Sequence, residues 1–168
     1  MPRIVQASTA EELDHVRALM RGFVAWHEVR HAEDMELVSA YFDGNAFEQE
    51  LAGLPGKYAP PKGSLLLAYH DDQPAGCVAL RKIDDNTCEM KRMFVYSEFH
   101  GQKIGAALAD AIIADARKIG YTKMVLDTGA RQVEAKSLYH RLGFKDTKPY
   151  YSLPDDLANW LTFMELDL

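Results

Sequence analysis

From Glu89 to Leu108 the chain reads EMKRMFVYSEFHGQKIGAAL, and this run holds the residue types from which an anion site is built. A β-branched and aromatic stretch closes at Val95, a short polar loop carries Gly101 and Gly105, and an amphipathic helix opens at about Ala106. A strand that passes through a glycine loop into a helix leaves several backbone N–H groups free. It also aims the positive end of a helix dipole at the same point. Glycine lets a bulky anion approach the backbone with no Cβ in the way. Phosphate is the natural ligand of such a cradle, which spans His100, Gly101, Gln102, Lys103, Ile104, Gly105 and Ala106.

Two familiar phosphate loops fail on spacing. A nucleotide-hydrolase P-loop follows its second glycine with Lys and a hydroxyl residue, whereas Lys103 precedes Gly105 and no hydroxyl follows. A dinucleotide fingerprint needs three glycines as GxGxxG, and this loop supplies two.

The segment resembles the acetyl-CoA site of the GNAT superfamily of N-acetyltransferases, whose signature is Arg/Gln-x-x-Gly-x-Gly/Ala between its fourth strand and third helix. The aligned residues are His100, Lys103 and Gly105, of which the last matches. KRMFV before the loop and IGAAL after it are typical flanks. Downstream, KMVLDT and AKSLYHRLGF resemble the family's fifth strand, its fourth helix and the turn into its next strand. The resemblance runs approximately from Ile4 to Leu168.

The resemblance implies acetyl-CoA as co-substrate, with its pyrophosphate on the amides of residues 100–106. Its pantetheine arm would lie along the backbone of Met93, Phe94 and Val95, where the fourth and fifth strands splay; this is β-augmentation by a ligand. His100 stands where Arg or Gln is usual, and Lys103, where Gly is usual, either adds a cation beside the phosphates or distorts the loop through its Cβ. Gln132 stands where many relatives make a cofactor contact with Asn. Tyr139 matches a tyrosine near the CoA sulfur that assists departure of the thiolate. Glu89 occupies a position where some members carry a general base. The implied reaction is direct attack by a small-molecule primary amine in a ternary complex, with an oxyanion held by backbone amide near Phe94 or Val95.

Each side chain also has a plainer reading. Tyr139 shares a helical stripe with Ala135 and Leu142 and can simply pack. Glu89 alternates with Lys91 and can be half of a cross-strand ion pair. Lys91 and Arg92 are expected on the two faces of their strand, one of them toward a carboxylate or phosphate. Arg81 on the neighbouring strand can reach the same cleft and read an acceptor carboxylate with its planar fork. His27, His31, Glu33, Asp34, Tyr41, Phe42, Tyr150 and Tyr151 come from segments that border the acceptor side in this fold. They suit a cationic amine through ion pairing and cation–π contact.

The elements that must position these groups read as one mixed α/β domain over residues 1–168. The expected architecture is an α+β three-layer fold, a mostly antiparallel sheet of six to seven strands flanked by about four helices. Ile4–Val5 starts the sheet. A helix runs from Ala10 to about His27, capped by Ser8 or Thr9. Residues 30–45 read as irregular, and a second helix spans Phe47–Leu54. Ser64–Tyr69, Ala75–Ile83 and Thr87–Val95 form a meander through short polar turns. The helix after Gly105 ends at Gly120. Lys123–Thr128 is a strand, Gln132–Leu142 a helix, and Leu161–Leu168 the last strand.

Composition narrows the classes. The 168 residues, 48% hydrophobic and 26% charged, are those of an ordinary globular protein. No apolar run approaches the roughly 20 residues of a membrane span, and no signal peptide is legible, so the expectation is a cytoplasmic protein with no membrane partner. A net charge of −6 argues against nucleic acid. Cys77 and Cys88 lack metal-ligand spacing and read as buried, so neither a metal site nor a covalent thiol intermediate is expected. A homodimer is expected by analogy only. The rival readings are a non-catalytic acyl-CoA-binding or regulatory domain, and acetylation of a protein or peptide amine.

Overall fold

The computed structural model describes residues 2–168. Arg3–Gln6 (β1) leads into Ala10–Arg30 (α1), whose start is a capping box. Thr9 Oγ1 accepts the Glu12 N–H at 3.1 Å while Glu12 Oε1 accepts the Thr9 N–H at 3.0 Å. Met35–Tyr41 (α2) and Gly44–Ala52 (α3) follow, so the segment expected to be irregular is largely helical. Asp43 explains part of the difference: its side chain accepts the Asn45 and Ala46 N–H groups and starts α3 earlier than the Phe47 expected.

Ser64–His70 (β2), Gln73–Lys82 (β3) and Thr87–Val95 (β4) form the expected meander. Ile104–Ile119 (α4), Lys123–Gly129 (β5) and Val133–Arg141 (α5) succeed it. Lys145–Thr147 (β6), Asp155–Trp160 (α6) and Leu161–Asp167 (β7) complete a seven-stranded sheet of order β1-β2-β3-β4-β5-β7-β6. Among the described residues six α-helices flank it rather than about four; α2 and α6 are too short for their periodicity to show in the sequence. One apolar core lies under α1–α3 around Leu19, Met20, Phe23, Leu65 and Leu67. A second lies under α4 and α5 around Leu80, Leu108, Ile112 and Met124.

The sheet is nearly severed at its centre. β4 and β5 run parallel and pair only at Thr87–Lys123, Cys88–Met124 and Glu89–Val125; beyond Glu89 they diverge. β4 is bent there by a bulge. Cys77 pairs with Phe94 and Ala79 with Lys91, so Val78 alone faces both Arg92 and Met93, and Arg92 sits at φ +60°. The bulge breaks alternation, so Lys91 and Arg92, expected on opposite faces, both turn toward α2 and α3. Lys91 lies over the Tyr41 ring, and Arg92 over Phe42 and Phe47. Among the described residues no helix is long and apolar enough to cross a membrane.

Candidate active site

Three connected spaces run through the splay. The first is a cleft of about 480 Å³ lined by Met93, Phe94, Val95, His100, Gly101, Lys103, Ile104, Gly105, Ala106 and Gln132, with Arg30, Arg141 and Glu134 at its rim. Ala107 N–H is the first of α4 to find a backbone acceptor, the Lys103 carbonyl at 3.1 Å. Among the described residues, the amides from Gly101 through Ala106 therefore point at no protein group. Lys103 takes the left-handed conformation at φ +62°, and Gly101 stands at φ +86°. The loop keeps the shape a glycine would give it, at a cost of about 1 kcal/mol or slightly more for the lysine. Lys103 thus places a cation at the cleft without distorting it; with Arg141, and with Arg30 paired to Glu134 by bonds of 2.9 and 3.1 Å, the lining keeps a net positive charge against the chain's overall sign. A Cβ on Gly105 would meet only Leu138 and Val95, both at 3.9 Å.

The strand end is turned toward this cleft. Tyr96 N–H donates to the Ala75 carbonyl, so Val95, paired with Gly76, directs its own N–H and C=O away from β3 and into the splay. His100 lies 3.0 Å from the Val95 carbonyl through Nε2, so its ring holds the strand end rather than an anion. Gln102 contributes backbone to the cradle, but its exposed side chain does not line the cleft.

The second space is a notch of about 30 Å³ between the splayed strands, lined by His27, Tyr41, Lys91, Arg92, Asp127, Thr128, Gln132 and Tyr139, among others. It shares Phe23, Met93 and Gln132 with the first cleft. Tyr139 is buried, and burial together with the Asp127 carboxylate holds its phenol protonated well above the usual range. The Thr128 hydroxyl is buried with no partner, an orphan that fits a polar occupant. Gln132 turns its side-chain oxygen onto the Gly129 N–H and so shapes the start of α5.

A pair of stacked histidines, with ring centroids 5.0 Å apart, backs the notch. His31 Nε2 accepts the Arg131 N–H at 3.1 Å, so the neutral ring carries its proton on Nδ1. That proton is donated to His27 Nδ1 at 3.1 Å, leaving the His27 proton on Nε2. Burial, with His31 and Arg92 nearby, drops His27 to about 3, so this tautomer chain persists at neutral pH.

The third space, about 510 Å³, opens on the opposite side between α2, α3 and β4, and shares Tyr41 and Arg92 with the notch. Arg92 grips Glu50 with two bonds of 3.0 and 3.1 Å, and Lys57 reaches the same carboxylate at 3.2 Å. Burial pushes Glu50 up, but the two cations outweigh it and bring the carboxyl to about 2.

The two carboxylates near the splay differ. Glu89 is 1% exposed, and both its oxygens are occupied, one by Arg81 Nε at 2.6 Å and one by the Tyr150 hydroxyl. Its cross-strand reading is thus realised with Arg81, which is committed to that pair. Asp127, which the sequence reading did not single out, lines the notch and accepts the hydroxyls of Tyr41 and Tyr151. KMVLDT gave no sign of it beyond one acid at a strand end. Glu33 and Asp34 bond Arg131, and Asp34 also accepts Trp160 Nε1; they tie the short turn Ala32–Asp34 to the loop between β5 and α5 and do not line the acceptor cleft. Both cysteines are buried, and burial pushes each thiol up to about 12.

The chain that builds these spaces has relatives among known proteins. Residues 20–144 match the model of the acetyltransferase (GNAT) family. An uncharacterised N-acetyltransferase of Dictyostelium discoideum is 31% identical across 99% of this chain and 98% of its own length. The N-acetylaspartate synthetase of Danio rerio is 35% identical over 69% of this chain, but the match covers 42% of that longer protein. The PaiA N-acetyltransferase of Thermoplasma acidophilum, solved with coenzyme A, superposes with a TM-score of 0.75 at 19% identity over 100% of this chain and 99% of that one, a likeness of fold. On these matches the chain is an acetyltransferase that belongs to the GNAT family.

Proposed function

We propose that the chain moves the acetyl group of acetyl-CoA to the amine of a small molecule while both are bound. The observation that carries this is the line of three spaces: a basic cleft with free amides, a narrow polar notch, and a second cleft on the far side. The zebrafish relative, whose name gives N-acetylaspartate as its product, supports a small amine over a protein one.

Acetyl-CoA supplies an acyl thioester. In this reading the amides of Gly101–Ala106 bind its pyrophosphate, with Lys103 and Arg141 around it. The Val95 N–H, directed away from β3, pairs with the arm of the ligand, while the Val95 carbonyl is held by His100. Nitrogen bonds to the acetyl carbon, the carbon–sulfur bond breaks with its electron pair on sulfur, and the second proton that nitrogen sheds on becoming an amide ends on that thiolate, giving the CoA thiol. Asp127, open to the notch, receives the proton that an ammonium must lose before attack. Both carboxylates have each oxygen hydrogen-bonded, but Asp127 lines the notch with neutral partners, whereas Glu89 lies outside it, ion-paired with Arg81, and orients Tyr150 and Arg81. Tyr139 stays protonated, so it stabilises the leaving thiolate as a hydrogen-bond donor. Full proton transfer is uphill, since a thiol titrates near about 8.5 and this phenol well above that.

Calorimetric titration with acetyl-CoA at low and moderate salt tests the reading. Micromolar binding that weakens with salt is expected, followed by CoA release when amines are added. Gly105→Glu should abolish binding while leaving the melting temperature close to wild type, because the empty protein has room for a side chain there. No binding to the folded wild type would sink the proposal, and binding without CoA release across a broad amine panel would favour a regulatory acyl-CoA domain.

A further inference from the structure

The bulge at Arg92 brings several charged groups to one face of the splay, and all but two have found a charged partner. Arg92 and Lys57 share Glu50, and Arg81 holds Glu89. Lys91 is the exception among the cations: among the described residues it makes no ion pair and no hydrogen bond, and its ammonium lies 5.8 Å from the Tyr41 ring centroid. Asp127 is the exception among the acids, since its bonding partners are the neutral hydroxyls of Tyr41 and Tyr151. Both line the notch, and they are not in salt-bridge contact with each other.

Leaving a largely buried ammonium without a partner is costly, and burial accordingly pushes the Lys91 pKa down. An anion delivered to the notch would remove that cost. Asp127 calls for the opposite charge a short distance away. A notch that offers one uncompensated cation and one uncompensated anion, held apart, is complementary to a zwitterion.

We infer that the acceptor is an α-amino acid, its carboxylate read by Lys91 and its ammonium docked on Asp127, with the side chain directed into the cleft between α2, α3 and β4. This rests on the acetyl-transfer reading and narrows its substrate class. The ion pairs on Arg92 and Arg81 leave Lys91 as the carboxylate reader, a role the sequence reading had considered for Arg81. Tyr41 touches both halves of the device, through its ring at Lys91 and its hydroxyl at Asp127.

The test is CoA release with the twenty α-amino acids, each set against its α-amide and its decarboxylated amine. At least one amino acid should exceed both analogues in kcat/KM by about thirtyfold or more, the scale of removing one partner of a desolvated charge pair. In Lys91→Met that ratio should collapse toward one, chiefly through KM, and Lys91→Arg should recover part of it. The acetyl-CoA affinity of each variant reports whether the fold and the first cleft persist. Equal or faster turnover of the amides or decarboxylated amines would overturn the inference and leave acetyl transfer standing. So would a Lys91→Met variant that keeps the preference, or turnover confined to polyamines or peptides. Failure of the wild type to bind acetyl-CoA, or to release CoA with any amine, would instead bring down the reading beneath it, and this inference with it.

Discussion

Two carboxylates stand near the splay, and their surroundings assign them different work. Asp127 meets the notch between two tyrosine hydroxyls, whereas Glu89 is enclosed by Arg81 and Tyr150. Asp127→Asn should therefore lower kcat by about 100-fold, within the range of general-base contributions. Glu89→Gln should act mainly on stability, because it leaves the Arg81 guanidinium without its counter-charge. Steady-state rates and melting curves of the pair separate the two; a larger kcat loss in Glu89→Gln, at unchanged melting temperature, would exchange the roles. Tyr139→Phe should cost roughly tenfold in kcat with acetyl-CoA affinity intact, because only a hydrogen bond to the leaving sulfur is removed. Tyr139 could be placed from SLYHRLGF, whose position after the glycine loop resembles the family's, and it does line the notch. Lys91 and Asp127 were visible as residues but not as a site. Their juxtaposition depends on a left-handed arginine, which no local signal announces, and on tyrosines that reach Asp127 from α2 and from the segment before α6.

At the scale of elements, the end of α1 is joined to the turn between β5 and α5 by the histidine pair and the Arg131 amide. This joint should be sensitive to acid. His27 is depressed from 6.5 to about 3, so between those values the unfolded chain binds a proton that the folded chain refuses. The stability associated with it is complete above pH 6.5 and is lost progressively as pH falls toward 3. Glu50, depressed from 4.5 to about 2, adds a loss of the same sign at lower pH. Melting temperature measured from pH 7 to pH 4 should fall, and His27→Phe should flatten the upper part of that slope. An unchanged slope would mean that the ring is not shielded as described. Strands and long helices were read from sequence within a few residues because their periodicity and turns are local: Thr87–Val95 was placed as observed, and Thr9 does cap α1. The short elements escaped for the opposite reason. α2, α6 and β6 are held by what they pack or pair against, as β6 is by β7.

Across the whole molecule, the three spaces adjoin one another through shared lining residues, and both thiols are buried and held protonated. A relay through an acetylated cysteine is thus disfavoured, and initial-rate plots with both substrates varied should intersect; parallel lines would require a covalent intermediate. The mixed three-layer fold was legible as a whole because its pieces occur in a recognisable order, whereas the adjoining spaces emerge only once distant segments are assembled. The sheet itself has a mechanical weakness at the same place. Its two parts, β1–β4 and β5–β7–β6, are joined by three residue pairs, and the open edge of β4 directs Val95's polar groups outward. A ligand that fills the gap acts as a reversible rivet between two half-sheets. Mass action then gives about 2.7 kcal/mol of added stability at a hundredfold excess over Kd. The protein would grow tougher or weaker with the supply of its donor, and resistance to a protease should rise and fall with acetyl-CoA.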